Sequence, residues 1–320
     1  MNILITGSSG FIGFSLAAKL LKNKNFTIVG IDNHDEYYSP ILKKKRLKVL
    51  NKYKNFTFKK IDIVNKTKLK KYLNNKKFDY VFHFAAQAGV RFSFENPFKY
   101  IDTNIMGFVN LLKSLKYSPR KFFYASSSSV YGDTSKFPID ENTLLLPKNI
   151  YGMSKVINED LANFMSKKYK INFIGLRFYT VFGPWGRPDM FLFKIFKCIF
   201  LKKKFFLNNK GNHERDFTFI NDVISMMVLL MRKKTNNKHE IFNICSNNPQ
   251  NILKISNYIK KNLGNFKIKF VKKHSADVFK THGNNLKVKK ITNYKKFSNV
   301  QDAIKLTFEW YKQNHIHKID

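Results

Sequence analysis

This chain should fold as an α/β protein, a doubly wound parallel sheet with a smaller mixed α/β lobe behind it. Three features carry that expectation. Short apolar runs alternate with amphipathic stretches through the first half, a β-α-β rhythm that suits a parallel sheet covered on both faces. The first apolar run ends in a glycine-rich turn, TGSSGFIG, that leads straight into a helical pattern. After Arg177 the rhythm stops, and Pro184, Gly186 and Pro188 crowd into one loop. The expected division is a nucleotide-binding domain of the Rossmann type over 1–177 and a substrate lobe over 178–320, with some exchange of chain between them.

The elements follow in order. Strands are expected at Asn2–Thr6, Thr27–Ile31, Phe56–Ile61, Tyr80–Phe84, Lys121–Ala125 and Asn172–Leu176, each a short run of apolar or β-branched residues. Helical spacing fills the gaps at Gly13–Lys22, Ile41–Tyr53, Ile101–Lys116 and Tyr151–Lys168. In the second lobe it returns at Asn221–Arg232, Ile252–Asn262 and Asn299–Asn314. No internal repeat is evident.

Composition narrows the function. Hydrophobic residues make up 43% of the 320, enough for a real core. The opening MNILITGSSG reads as strand and turn, without a basic segment before an apolar one. The apolar window from Phe191 to Phe206 is broken by Lys194, Lys197 and Lys202, so no membrane span or membrane partner is expected. Cys198 and Cys245, the two cysteines, lack metal-ligand spacing and read as core thiols in a reducing cytoplasm. Lys and Arg outnumber Asp and Glu by 59 to 21, a net charge of +38. Such a charge could bind nucleic acid. The lysines are scattered along the whole chain beside abundant Asn, Phe and Ile, however, which is the bias of an AT-rich coding genome. Runs such as KKK at 43–45 read as solvated faces, and no nucleic-acid partner is expected.

In TGSSGFIG, Gly7, Gly10 and Gly13 stand between a strand and a helix. A tight turn and a close approach to a pyrophosphate both call for residues without a Cβ. The helix start then offers free N–H groups to the phosphates. Asp32 ends the second strand, where a carboxylate accepts both adenosine-ribose hydroxyls and repels a 2′-phosphate. The expected cofactor is therefore NAD, tightly held, with Asp62 after the third strand near the adenine.

Tyr151 and Lys155 form YGMSK, and i,i+4 spacing puts both on one helix face. A phenol with a pKa near 10 is a poor base. A neighbouring ammonium and the positive nicotinamide are expected to lower it. Before them lies SSSSVYG at 126–132, at the end of an apolar strand. A serine-rich linker would need no packed flank. A row of hydroxyls aimed at a ligand suits this position better, with Ser127 beside Tyr151 and with Ser128 and Ser129 extending the row.

Together these stretches resemble the extended short-chain dehydrogenase/reductase family, in its nucleotide-sugar epimerase branch and nearest the UDP-glucuronate 4-epimerases. The likeness spans nearly the whole chain. It is carried by GIDNHDEYYSPILKKKRL (30–47), FHFAAQAGVRFSFENP (82–97), SSSSVYG, GLRFYTVFGPWGRPDM (175–190) and RDFTFINDV (215–223). By that resemblance NAD would be held by Gly7, Gly10, Phe11, Ile12, Gly13, Asp32, Asn33, Asp62, Ile63, Ala85, Ala86, Gln87, Tyr151 and Lys155. Asn104 would join the same network as a relay. Ser127, Tyr151 and Lys155 would be catalytic. Arg215 would meet the UDP pyrophosphate, which suits a guanidinium fork. Thr180, Arg187, Ser128 and Ser129 would face the sugar, with Arg187 a partner for the uronate carboxylate. Arg91 would either enclose the site or make an ordinary surface salt bridge.

The likeness thins at HSADVFKTHGNN (274–285), where Ala276 stands for the branch's glycine and Gly283-Asn284 for its Ala-Asp pair. Asp277 remains as a uridine contact. The activity so implied is 4-epimerisation of UDP-glucuronate for surface-polysaccharide precursors, in a cytoplasmic homodimer. Relatives that decarboxylate or dehydrate carry acids just after the catalytic hydroxyl, where this chain has Ser128 and Ser129. Two other readings stay open: an epimerase of neutral UDP-sugars, and a nucleic-acid-binding protein on a dehydrogenase scaffold.

Overall fold

The computed structural model of the protein describes residues 1–169, 171–235, 237–272 and 277–319, so Ala276 lies outside the described residues. Its centre is a seven-stranded sheet in the order β10-β6-β5-β4-β1-β2-β3. The strands are β1 (Asn2–Thr6), β2 (Thr27–Asp32), β3 (Phe56–Lys60), β4 (Tyr80–His83), β5 (Lys121–Ser127), β6 (Asn172–Phe178) and β10 (His239–Ile244). All pairs are parallel. The order reverses beside β1, and in such sheets the crevice at the carboxyl ends of the strands by that reversal is where ligands bind.

Alternation along each strand splits the core in two. Ile3, Ile5, Phe82, Phe123 and Ile174 face one side, packed against the helix Phe11–Leu20 and the second lobe. Leu4, Val81, Phe122 and Phe173 face the other, against Leu69, Phe108 and Ala162. These last three lie on helices Lys66–Leu73, Gly107–Ser114 and Ile150–Lys168. The first of those helices has no counterpart in the sequence reading. Its lysines mask a two-position apolar stripe, Leu69 and Leu73, and Asn65 caps it by accepting the Lys68 N–H.

The stretch expected as one helix from Ile101 is two kinds of helix, a π segment Ile101–Met106 followed by α-helix Gly107–Ser114. The π segment carries the buried Asn104, whose side chain reaches back to Gln87. The apolar window after the 183–190 loop is helix Phe191–Phe200, with Leu192, Phe193, Ile195 and Phe196 buried.

The second lobe holds a three-stranded sheet, β11-β9-β7, of β7 (Thr180–Phe182), β9 (Glu214–Phe219) and β11 (Pro249–Asn251). A two-stranded sheet joins β8 (Lys204–Asn208) to β12 (Lys267–Val271). Helix Ile220–Arg232 buries Val223, Met226, Met227 and Leu230 in the same core that contains Ile174 and Leu176 of β6. The helices at 252–262 and 300–313 stand where the spacing predicts them. No helix among the described residues is long and apolar enough to cross a membrane.

Candidate active site

A cavity of about 670 Å³ opens where the two lobes meet at the carboxyl ends of β1, β4 and β5. Its adenosine end is built by the glycine loop. Gly7 sits at φ +71°, and a Cβ there would come within 2.6 Å of the Ala85 nitrogen. A Cβ on Gly13 would reach 2.2 Å from the Gly7 carbonyl oxygen. The helix that follows has no side-chain cap and no acid in its first turn, so its N–H groups are available to an anion. Asp32 accepts the Ser9 N–H at 3.0 Å and the His34 N–H at 2.8 Å. An ionised carboxylate has about four acceptor positions, so capacity is left for a ribose. Loop, helix start and acid fit a dinucleotide. Phe11, Ile12, Asn33, Ile63, Ala85, Ala86 and Gln87 line the same end of the cavity.

Two of the expected cofactor residues stand apart from the lining. Asp62 accepts the Asn33 side-chain N–H at 2.9 Å and the Val64 N–H at 2.9 Å. Asn104 lies behind the wall, where its Oδ1 accepts the Gln87 N–H at 2.8 Å. Its Nδ2 donates to the Gln87 carbonyl at 3.1 Å and to the Ser154 hydroxyl at 2.9 Å. It thereby fixes the 84–91 loop to the helix that carries Tyr151.

The middle of the cavity gathers the hydroxyls. β5 runs two residues past its expected end, because β6 pairs with it as far as Ser127 and Phe178. The Ser126 hydroxyl donates to Glu159 at 2.5 Å. Ser127 accepts the Ser129 N–H at 3.1 Å and interacts with the Tyr151 phenol. Ser128 and Ser129 then turn into the lining. Asn149 caps the helix Ile150–Lys168 by accepting the Gly152 N–H at 2.8 Å, which puts Tyr151 at its first turn. Lys155 Nζ lies 5.8 Å from the Tyr151 ring centroid.

Burial acts on both members of this pair. The Tyr151 phenol is pushed above its ordinary value, because burial outweighs the Ser127 hydrogen bond and the Arg187 charge, which both pull it down. Lys155 is pushed down to about 7 by burial, with Glu159 opposing. Burial thus works against the ammonium expected beside the phenol. Spacing along a helix can foretell the pairing but not the burial.

Behind Lys155, Glu159 is held by Arg177 through two bonds of 2.9 and 2.7 Å, both side chains about one-twentieth exposed. Arg177 also donates to the Tyr131 hydroxyl at 2.7 Å. This buried ion pair joins β6 to the catalytic helix and was not foreseen.

At the sugar end, Thr180 and Arg187 line the cavity. Arg187 is bonded to Asp189, Nε to Oδ1 at 2.9 Å and Nη2 to Oδ2 at 2.5 Å. Tyr37 also donates to Asp189, at 3.2 Å. Asp189 and Tyr37 lie within the stretches that carry the resemblance, but only the fold brings them together. At the uridine end, Arg215 donates to the carbonyls of Glu214, Phe279 and Val278. Arg91 and Asp277 form a salt bridge of 2.8 Å from one lobe to the other. Arg91 lines the cavity and makes the surface salt bridge at once, and Asp277 is its partner.

Lys43 corrects the reading of the 43–45 run as a solvated face. It is 6% exposed, lies 4.5 Å above the Tyr38 ring and donates to the Asp35 carbonyl. Burial lowers its pKa.

Comparison with known proteins agrees with this geometry. The chain is 38% identical to the protein CapI of Staphylococcus aureus over 97% of this chain and 98% of that one. It is 35% identical to a UDP-glucuronate 4-epimerase of Thermodesulfobacterium geofontis, over 97% and 96%. Its fold matches a UDP-glucuronic acid 4-epimerase of Bacillus cereus, solved with UDP-glucuronic acid and NAD, at a TM-score of 0.92 and 32% identity, covering 98% and 100% of the two chains. The model of the NAD dependent epimerase/dehydratase family matches residues 3–245, from the first strand through the end of the seven-stranded sheet. By sequence, fold and the cleft at its centre, this chain belongs to the NAD dependent epimerase/dehydratase family.

Proposed function

We propose that this protein interconverts UDP-glucuronate and UDP-galacturonate by transient oxidation at C4. The observation that carries the reading is the convergence of Ser127, Tyr151, Lys155 and Arg187 on one cavity that also has a dinucleotide end. NAD, when bound, supplies a two-electron acceptor and then a donor at C4. The chain's own residues do the rest. Tyr151 takes the C4 hydroxyl proton and later returns it, with Ser127 sharing that hydrogen bond and steering the hydroxyl. Ser127 and Arg187 favour the phenolate against the burial that opposes it. Arg215 holds the diphosphate while the sugar turns and Arg91 helps to enclose the site, so binding energy remote from C4 orients the reaction.

A 4-ketone β to a carboxylate loses CO₂ readily. Ser128 and Ser129 offer hydroxyl donors to that carboxylate, and neither position carries an acid that could assist elimination. The two bonds to Asp189 use the Arg187 Nε and one Nη2 hydrogen, which leaves its remaining N–H groups for the uronate. The same pairing cancels the Arg187 charge, and that observation favours a second reading, epimerisation of a neutral UDP-sugar. The product would feed surface-polysaccharide synthesis. A homodimer is proposed through the helices around 101–114 and 150–168, where Ile101, Met106, Met153 and Phe164 are exposed.

The test is incubation of the purified protein with UDP-glucuronate and no added NAD, followed by proton NMR. UDP-galacturonate without CO₂ is the expected product. Turnover of UDP-glucose or UDP-N-acetylglucosamine alone would keep the mechanism and replace the substrate. No turnover of any of the three, with NAD added, would end the epimerase reading.

A further inference from the structure

Arg46 is among the largest fully buried side chains of the molecule, at 0% exposure on helix Pro40–Leu50. No carboxylate among the described residues pairs with it. Its fork instead spans three segments. Nη1 donates to the Ser9 carbonyl at 3.0 Å and to the Tyr38 hydroxyl at 2.8 Å. Nη2 donates to the carbonyls of Trp185 at 2.6 Å and Gly186 at 3.0 Å. Nε has no partner. A buried cation without a counter-charge is destabilising unless its hydrogen bonds compensate, so an apolar side chain of similar volume would serve better if filling space were the only requirement.

The bonded groups are informative. Ser9 belongs to the glycine loop, and its N–H donates to Asp32. Trp185 is a non-glycine residue at φ +63°, a conformation that costs energy and persists only where surroundings impose it. Arg187, the next residue but one, faces the sugar end of the cavity. The same guanidinium therefore grips the cofactor loop and the strained turn that aims the sugar-facing arginine.

We propose that Arg46 is a positioning residue that couples the dinucleotide end of the cleft to its sugar end. Binding at the glycine loop is transmitted through Ser9, Arg46 and the 185–186 carbonyls to Arg187. Lysine cannot replace it, because an ammonium is a compact point charge and cannot span acceptors on both loops as the planar fork does. The sugar arm of this inference rests on the function proposed above. The cofactor arm does not.

The protein has two tryptophans, Trp185 and Trp310, with ring centroids 5.0 Å apart. Trp310→Phe leaves Trp185 as a fluorescent reporter on the gripped turn. In that background, NAD titrated into cofactor-stripped protein should change Trp185 emission. Arg46→Lys keeps the charge and most of the volume. It should weaken NAD binding at least tenfold by calorimetry and abolish the Trp185 response at saturating NAD. The preference for UDP-glucuronate over UDP-glucose should fall with it. An Arg46→Lys protein with the parent NAD affinity and the parent emission change would overturn the coupling, as would a parent whose Trp185 ignores NAD. Loss of the NAD response in a protein that turns over neither sugar would uphold the coupling and count against the proposed substrate alone.

Discussion

Asp189 grips Arg187 at two points, 2.9 and 2.5 Å, and thereby neutralises the cation that faces the sugar end of the cleft. The pair is about one-fifth to one-quarter exposed, so water screens it only in part. Asp189→Asn keeps an oxygen for the Arg187 Nε and removes the opposing charge. The ratio of kcat/KM for UDP-glucuronate over UDP-glucose should rise about tenfold, or roughly 1.4 kcal/mol. Steady-state kinetics on both sugars measure it, and a falling ratio would mean that Asp189 aims Arg187 more than it competes for it.

Tyr151→Phe removes the phenol and leaves the ring packed edge-on against Tyr100, 6.1 Å between centroids. Turnover should drop by roughly 10² to 10⁴-fold, the range for a lost acid–base group, with UDP-sugar affinity nearly unchanged. Calorimetry beside single-turnover kinetics separates the two. Near-normal turnover would remove Tyr151 as the base.

Lys155 gives a stability signature. Its ammonium titrates near 7 when folded and near 10.4 when unfolded. Between these values the unfolded chain holds the extra proton, so this residue makes stability rise with pH across that window. The slope approaches about 1.4 kcal/mol per pH unit. Lys155→Met should flatten that part of the urea-denaturation profile from pH 7 to 10 in the cofactor-stripped protein. Parallel profiles for the two proteins would show that Lys155 stays charged.

Glu159→Gln leaves the Arg177 guanidinium buried without its counter-charge. A loss of about 3–5 kcal/mol is expected for breaking such a pair from one side, read as a lower urea midpoint at constant slope. Glu159 also supplies the pull that keeps Lys155 from falling further. The Lys155 titration, followed by NMR of labelled lysine, should therefore move below 7. A lowered urea midpoint with an unchanged Lys155 titration would limit Glu159 to a structural role.

Local pattern made much of this legible in advance. The six strands of the first half and the helix at 150–168 lie within one or two residues of their expected places, since strand alternation and helical spacing are local properties. The glycine loop, Asp32, Ser127, Tyr151 and Lys155 declare themselves by type and spacing. What was hidden depends on the fold. Arg46 looks like one more cation in KKKRL until Trp185 and Ser9 meet it. Asp189 looks like a loop acid until Arg187 folds over it. The direction of the Tyr151 shift turns on burial, which no spacing encodes. The helix at 66–73 was missed because lysines on an exposed face outnumber the two leucines that hold it down.

The last strand of the large sheet is β10, at 239–244, which pairs along β6 from His239 with Phe173 to Ile244 with Phe178. The chain crosses much of the second lobe before it returns to supply that strand. Until residues 239–244 join it, the β6 edge of the sheet has no partner strand, and an unpaired edge is open to mispairing with other chains. For protein engineers the same return path means that a graft of the sugar-facing lobe must carry residues 239–244 with it.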